Sequence, residues 1–233
     1  MVNVYEYVGL ELELFRSAVN WKQTLLRHIH PFLKGRVLEA GAGIGGTTRV
    51  FRTGNEDSWT CLEPDPTLSA KLCEEIPDVE VLTGVVADLP PERSFDSIIY
   101  IDVMEHIDDD RSEMHNAAAR LSVGGYLIVL CPAHQWLFSP FDRAVGHYRR
   151  YSKSMFRALR PQSCSEARMI YLDSVGLFAS VANKLVLSQS LPTQRQISFW
   201  DKVLVRASRI TDWGLRYSIG KSVLAVWKKI EEH

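Results

Sequence analysis

The sequence predicts an α/β fold built on an open, mostly parallel sheet, and three observations carry the prediction. Short apolar runs alternate with helical patterns over residues 36–172. The run at 95–101 is almost continuously apolar, as strands buried on both faces are. The run at 37–40 leads into glycines 41, 43, 45 and 46, the composition of a strand that ends in a tight turn and opens a helix. With 233 residues the chain suffices for one large α/β domain but not for two of typical size.

In chain order, residues 1–35 come first as an N-terminal helical cap, with Phe15, Val19, Leu25, Leu26 and Ile29 near helical spacing. Strand 36–40 and the glycine turn lead to a helix over 46–52 that Gly54 ends. Strand 59–62 places Glu63 at its carboxyl end, where open parallel sheets bind ligands. Asp65 before Pro66 reads as turn chemistry or as a rival carboxylate. Helix 67–75, strand 79–83 and a loop holding Asp88 and Leu89 precede strand 95–101. Asp108 to Asp110 cap helix 111–121, and their diverging side chains call for no metal ion.

Gly124 and Gly125 open strand 126–131, which Pro132 stops. Beyond it, residues 133–156 are rich in His, Trp, Tyr and Arg, and loops at this end of a sheet carry function. Trp136, Tyr148, Arg149 and Arg150 are candidate substrate contacts there, with arginines able to fork onto a carboxylate or phosphate. The competing reading joins Asp142, His147 and the arginines in a network that fixes the loop. Ser152 caps the next helix. Strand 168–172 is separated from the last strand, 222–227, by about fifty residues with helical patterns at 177–187 and 197–210. The second pattern sets Ile197, Trp200, Leu204 and Ala207 on one side and Lys202, Arg206 and Arg209 near the other. The expected division is a cap (1–35), a core (36–172), a helical insertion (173–220) and the last strand with its tail (221–233).

Charge is balanced, 27 basic against 28 acidic residues, which argues against a nucleic-acid partner. Cysteines 61, 73, 131 and 164 lack paired spacing, so free thiols in a reducing cytoplasm are expected. No apolar run of about 18 residues predicts an integral membrane segment. The insertion can serve as a substrate cap, as a homodimer contact, or as a basic amphipathic surface resting on a membrane.

Gly41-x-Gly43-x-x-Gly46 with Glu63 following fits a dinucleotide fingerprint. Glu39, two residues before the first glycine, instead suits a ligand with positive charge. Here the chain resembles the class I S-adenosylmethionine-dependent methyltransferases, whose first motif is E/D-x-G-x-G-x-G. CLEPD (61–65), ADLP (87–90), FDSIIYIDVMEHI (95–107) and LSVGGYLIVLCP (121–132) resemble the later motifs in order, and a GH-x-R-R-Y segment is familiar from one small-molecule branch. The resemblance implies a Rossmann-like, seven-stranded, mostly parallel sheet with an antiparallel last strand, helices on both faces and a helical insertion before that strand. It implies S-adenosyl-L-methionine as cofactor, S-adenosyl-L-homocysteine as product, and Glu39, Gly41, Gly43, Glu63, Asp88, Leu89 and Asp102 as its site. Glu63 would take the ribose hydroxyls, Asp88 the adenine amino group, and Asp102 would lie by the methionine portion.

Methyl transfer from a sulfonium is an in-line displacement, so holding the groups in line supplies much of the rate. A base is needed when the acceptor is a hydroxyl, and His147 is the first candidate and His106 the second. His106 can equally tie down the next helix. The expected reaction is methylation, at oxygen, of a partly apolar small molecule such as a quinone, polyketide or lipid-linked sugar. A nicotinamide-dependent oxidoreductase and a non-catalytic cofactor-binding module are the rival readings.

Overall fold

In a computed structural model of the chain, residues 10–186 and 192–230 are described, with side chains described over 12–182 and 192–230. Residues 1–9 of the expected cap, the expected helix end at Leu187 and the tail at 231–233 lie outside the described residues. Seven strands form one sheet among those described: β1 (Arg36–Ala40), β2 (Ser58–Glu63), β3 (Glu80–Thr83), β4 (Phe95–Ile101), β5 (Leu121–Pro132), β6 (Cys164–Leu172) and β7 (Ser222–Lys229). Their order is β3-β2-β1-β4-β5-β7-β6. The first five pair in parallel, and β7 inserts antiparallel between β5 and β6. The expected architecture is therefore present, with strand order reversing at β1 and β4, the topological switch where such sheets bind ligands.

Alternation along the strands divides the core in two. Leu38, Ala40, Ile98, Tyr100, Leu127 and Val129 face one side, where α5 (Asp110–Ala119) and α7 (Lys153–Leu159) pack. Val37, Cys61, Ile99, Ile128 and Leu130 face the other, with Trp21, Leu25 and Ile29 of α2 (Val19–Ile29) and Leu72 of α4 (Pro66–Glu75). The helix after the glycine turn is shorter than expected, a single turn α3 (Thr48–Phe51). Asp65 resolves as turn chemistry: its side chain accepts from the backbone N–H of Thr67 and Leu68 and so caps α4. Asp109 and Ser152 likewise cap α5 and α7, as the sequence suggested.

The insertion departs from its expected register. Helices α8 (Ser174–Val186), α9 (Gln194–Phe199) and α10 (Val205–Gly214) form it, with a π turn at Trp200–Leu204 between the last two. That turn adds a residue to one helical repeat, so Ala207 is exposed rather than inward, and the buried stripe is Ile197, Asp201, Val205, Ser208 and Asp212. The buried acids satisfy helix starts. Asp201 accepts from the N–H groups of Asn20 (3.3 Å) and Trp21 (2.8 Å), because Ala18 gives α2 no capping side chain. Asp212 accepts from the N–H of Asp173 and Ser174 at the start of α8. Phe15 and Trp21 pack on Trp200 at ring separations of 6.0 and 5.8 Å, so the N-terminal helices and the insertion touch.

Candidate functional site

Five parallel strands bring their carboxyl ends to one edge, and the loops leaving them build the site. After β1, Gly41, Gly43 and Gly45 adopt φ of +67°, +56° and +72°. A Cβ on Gly41 would stand 2.6 Å from a Val103 methyl, and one on Gly45 2.5 Å from Ile76, so the turn admits glycine alone. Glu63, at the end of β2, holds this turn: one carboxylate oxygen accepts from the Gly43 N–H at 2.8 Å and the other from the Asp65 N–H at 3.0 Å. Burial raises its pKa. Glu39 lies deeper, accepting from the Thr48 hydroxyl (2.7 Å) and the Trp59 indole (3.0 Å), with its pKa pushed up to about 7 by burial. Its bonds buttress the turn from below. Lys22, nearly buried, lies beside Gly46 and donates to the carbonyls of Phe15 and Arg16; burial lowers its pKa to about 8.

Beyond β3, Asp88 is exposed, and one of its oxygens accepts from the Val85 N–H. Leu89 does not fit its expected place. Its side chain is in the main core, its carbonyl accepts from Arg120 and its N–H bonds to Val86, which turns this residue away from a ligand. Asp102, after β4, has φ +55° and an N–H bonded to the Leu130 carbonyl. Its side chain is exposed, and desolvation by the surrounding loops raises its pKa against the pull of His147, Lys221 and Lys22. A hollow of about 340 Å³ lined by Arg52, Trp59, Asp78 and Glu80 lies at the opposite edge of the sheet and gathers no reactive groups.

The loop after β5 closes against the turn after β4. Asp142 on α6 (Pro140–Ala144) is its centre, accepting from the Ser139 N–H and hydroxyl, His147 Nδ1 at 2.9 Å, and Arg150 Nε and Nη2 at 2.8 and 2.9 Å. These donors hold its carboxyl well below the usual range despite burial. A carboxylate at Nδ1 puts the proton there and leaves His147 Nε2 as the lone-pair nitrogen. The backbone N–H of Tyr148 donates to the Glu105 carbonyl at 2.8 Å, and the His147 ring meets His106 edge to face at 4.5 Å. Burial lowers the pKa of His106 to about 3.

Both expected readings of this loop contain part of the arrangement. The network reading holds for Arg149, which donates to the carbonyls of Ile107 and Asp108 and pairs with Asp110 (2.7 Å) and Asp108 (3.3 Å); a guanidinium so engaged ties the loop down instead of meeting a substrate. Arg150 forks onto Asp142, but its Nη1 is buried with no hydrogen-bond partner. Trp136 and Tyr148 are more than half exposed on the rim. Sequence reasoning passed over Glu105, which is fully buried with no nitrogen or oxygen partner at either oxygen. Burial and the like charges of Asp102 and Asp142 push its pKa far above the usual carboxylate range. The only signal was an acid between residues that fold inward.

A family profile described as "Methyltransferase domain" matches residues 14–171. The chain belongs to this methyltransferase family. It is 29% identical over 153 residues to a demethylmenaquinone methyltransferase of Tropheryma whipplei (strain Twist), a match covering 64% of this chain and 63% of that protein. Among solved structures it resembles the N-methyltransferase NodS of Bradyrhizobium japonicum WM9 in complex with S-adenosyl-L-homocysteine (14% identity, TM-score 0.59, 97% of this chain and 98% of that one). It also resembles coclaurine N-methyltransferase bound to N-methylheliamine and S-adenosyl-L-homocysteine (15% identity, TM-score 0.59, 89% and 72%). The chain has the class I, Rossmann-like fold of S-adenosylmethionine-dependent methyltransferases, and its match spans less than two thirds of the curated relative's length.

The residues at the strand ends fit that cofactor. Of the turn's positive-φ glycines, Gly43 meets only the flexible end of Leu12 and leaves the most backbone for a ligand, and the exposed carboxylate of Asp102 has the sign that suits a cationic group.

Proposed function

We propose that the chain methylates an oxygen of a partly apolar, quinol-like small molecule. The carrying observation is the Asp142–His147 pair, which leaves a lone-pair nitrogen in a site enclosed by the loops after β4 and β5. S-adenosyl-L-methionine, when bound, supplies an electrophilic methyl group on a sulfonium. Gly41, Gly43, Glu63 and Asp88 would hold its nucleoside and the turn around it, Asp102 would face its charge, and Glu39 would keep the glycine turn in shape. His147 Nε2 takes the hydroxyl proton of the acceptor, while Asp142 fixes the ring and stabilises the imidazolium that results. The unpaired Arg150 Nη1 offers a donor for a second acceptor oxygen, and Trp136 and Tyr148 offer apolar walls at the rim. The quinol class draws support from the Tropheryma relative, and the network geometry favours oxygen over nitrogen because a neutral amine needs no base.

The insertion supports a peripheral membrane contact. Phe199, Val203, Ile210 and Trp213 are exposed along one stripe, Ile210 and Trp213 each to 74%, with Lys202, Arg206 and Arg209 beside them. Apolar residues among cations suit an interface with anionic lipid, where a quinol would reside. No helix among the described residues is long and apolar enough to cross a membrane. The test is label transfer from methyl-labelled S-adenosyl-L-methionine to reduced naphthoquinones presented in anionic vesicles. Label in an ether product, lost with His147→Ala, is expected; label on nitrogen acceptors alone would overturn the oxygen reading.

A further inference from the structure

We infer that Glu105, His106 and His147 form a binding site for one divalent transition-metal ion beside the cofactor cleft. Their candidate ligand atoms lie within 4.8 Å of one another, with His147 Nε2 4.0 Å from a Glu105 oxygen. Tetrahedral ligands about 2.1 Å from a zinc ion stand roughly 3.4 Å apart, so side-chain shifts of about an ångström would close the set.

Three features argue for an ion over a chance cluster. Glu105 is fully buried and neither oxygen has a nitrogen or oxygen partner; the Cys131 thiol and its own backbone give it weak support only. A buried acid so weakly supported is costly, and a cation would satisfy it. His147 donates its other nitrogen to Asp142, which is how ligating histidines are oriented from behind. The local charge also favours a cation: the side-chain charges acting on Glu105 are the carboxylates Asp102 and Asp142, and Asp142 is itself matched by Arg150. Two imidazoles and one carboxylate suit Zn²⁺, Co²⁺ or Fe²⁺ and leave positions open for a substrate oxygen.

The site deepens the proposed oxygen methylation and rests on it for its chemical role, though not for its existence. A hydroxyl bound to the ion ionises closer to neutral pH. Its proton passes to solvent, its oxygen lone pair forms the carbon–oxygen bond, and the electron pair of the breaking carbon–sulfur bond stays on sulfur. With the ion present, His147 Nε2 is a ligand, and proton release replaces its direct action as base.

The test is titration of chelator-treated full-length protein with Co²⁺, followed by visible absorption and calorimetry, then displacement by Zn²⁺. One Co²⁺ per chain is expected, with affinity at least about tenfold weaker in Glu105→Gln and in His106→Gln, about tenfold weaker in Asp142→Asn, and unchanged in His115→Ala on the surface. No stoichiometric binding, or binding that Glu105→Gln leaves intact, would overturn the site. Binding of S-adenosyl-L-homocysteine, measured on the same samples, reports the cofactor reading separately, so loss of metal with retained nucleoside refutes the site alone. Thermal melts of each variant confirm folding, and the two single substitutions on different residues keep the test open if one unfolds.

Discussion

The cofactor half and the acceptor half of this edge are built differently. In the first, residues that act together are neighbours in sequence or on adjacent strands: Gly41 to Gly45 share one turn, and Glu63 reaches Gly43 across a parallel pair in which Glu39 aligns with Cys61. In the second, Glu105 and His147 lie more than forty positions apart and meet because the loop after β5 folds back, pinned by Arg149 on the Asp108–Asp110 turn. Local encoding makes the first half independent of the second. Changes in one should spare the other.

The largest expected effect is on turnover. His147→Ala should lower kcat by about a hundredfold or more, the range of a lost proton acceptor or activating ligand, while the affinity for S-adenosyl-L-homocysteine shifts less than about twofold. Steady-state kinetics and calorimetry on the same variant check this, and a parallel loss of nucleoside affinity would break the separation. Next, Glu63→Ala removes acceptors from the turn and from the ribose, so nucleoside affinity should fall about a hundredfold, hydrogen bonds to a charged group contributing about 1.5–3 kcal/mol.

Glu39 gives a pH signature confined to the first half. Its folded pKa, about 7, lies above its ordinary value of 4.5, so the native state holds more protons between these values and stability falls as pH rises from 4.5 to 7. The drop is up to about 3 kcal/mol, and Glu39→Gln, which keeps an acceptor for Thr48, should flatten it in chemical denaturation across that range. Asp201→Ala sharpens the boundary with the helical layer. Removing the borrowed cap of α2 should cost about 1–2 kcal/mol, read as a lower Tm. Smallest is Tyr148→Ala at the rim, expected to raise acceptor KM about threefold with kcat held, as for lost uniform binding.

The same contrast explains what could be read without a structure. The glycine turn, Glu63 at a strand end, and the caps at Asp109 and Ser152 follow from local chemistry, and the fold places each as expected; Asp65 takes the first of the two readings its sequence left open. Leu89 was misplaced because spacing says where a loop begins but not which of its residues turns inward. Ala207 was misplaced because one π turn shifts the phase of every later position, and no residue at 200–204 announces it. Asp201 and Asp212 look like surface acids on a basic helix, and their work as caps depends on partners 180 and 38 positions away. Glu105 carried no pattern, since its meaning comes from groups that tertiary folding delivers.

The central claim, that this edge of the sheet holds S-adenosyl-L-methionine, is tested most directly by calorimetric titration of the wild-type protein with S-adenosyl-L-homocysteine, beside NAD and NADP. One nucleoside bound per chain in the micromolar range is expected, with no heat from either nicotinamide cofactor. Saturable binding of a nicotinamide cofactor with none of S-adenosyl-L-homocysteine would contradict the claim.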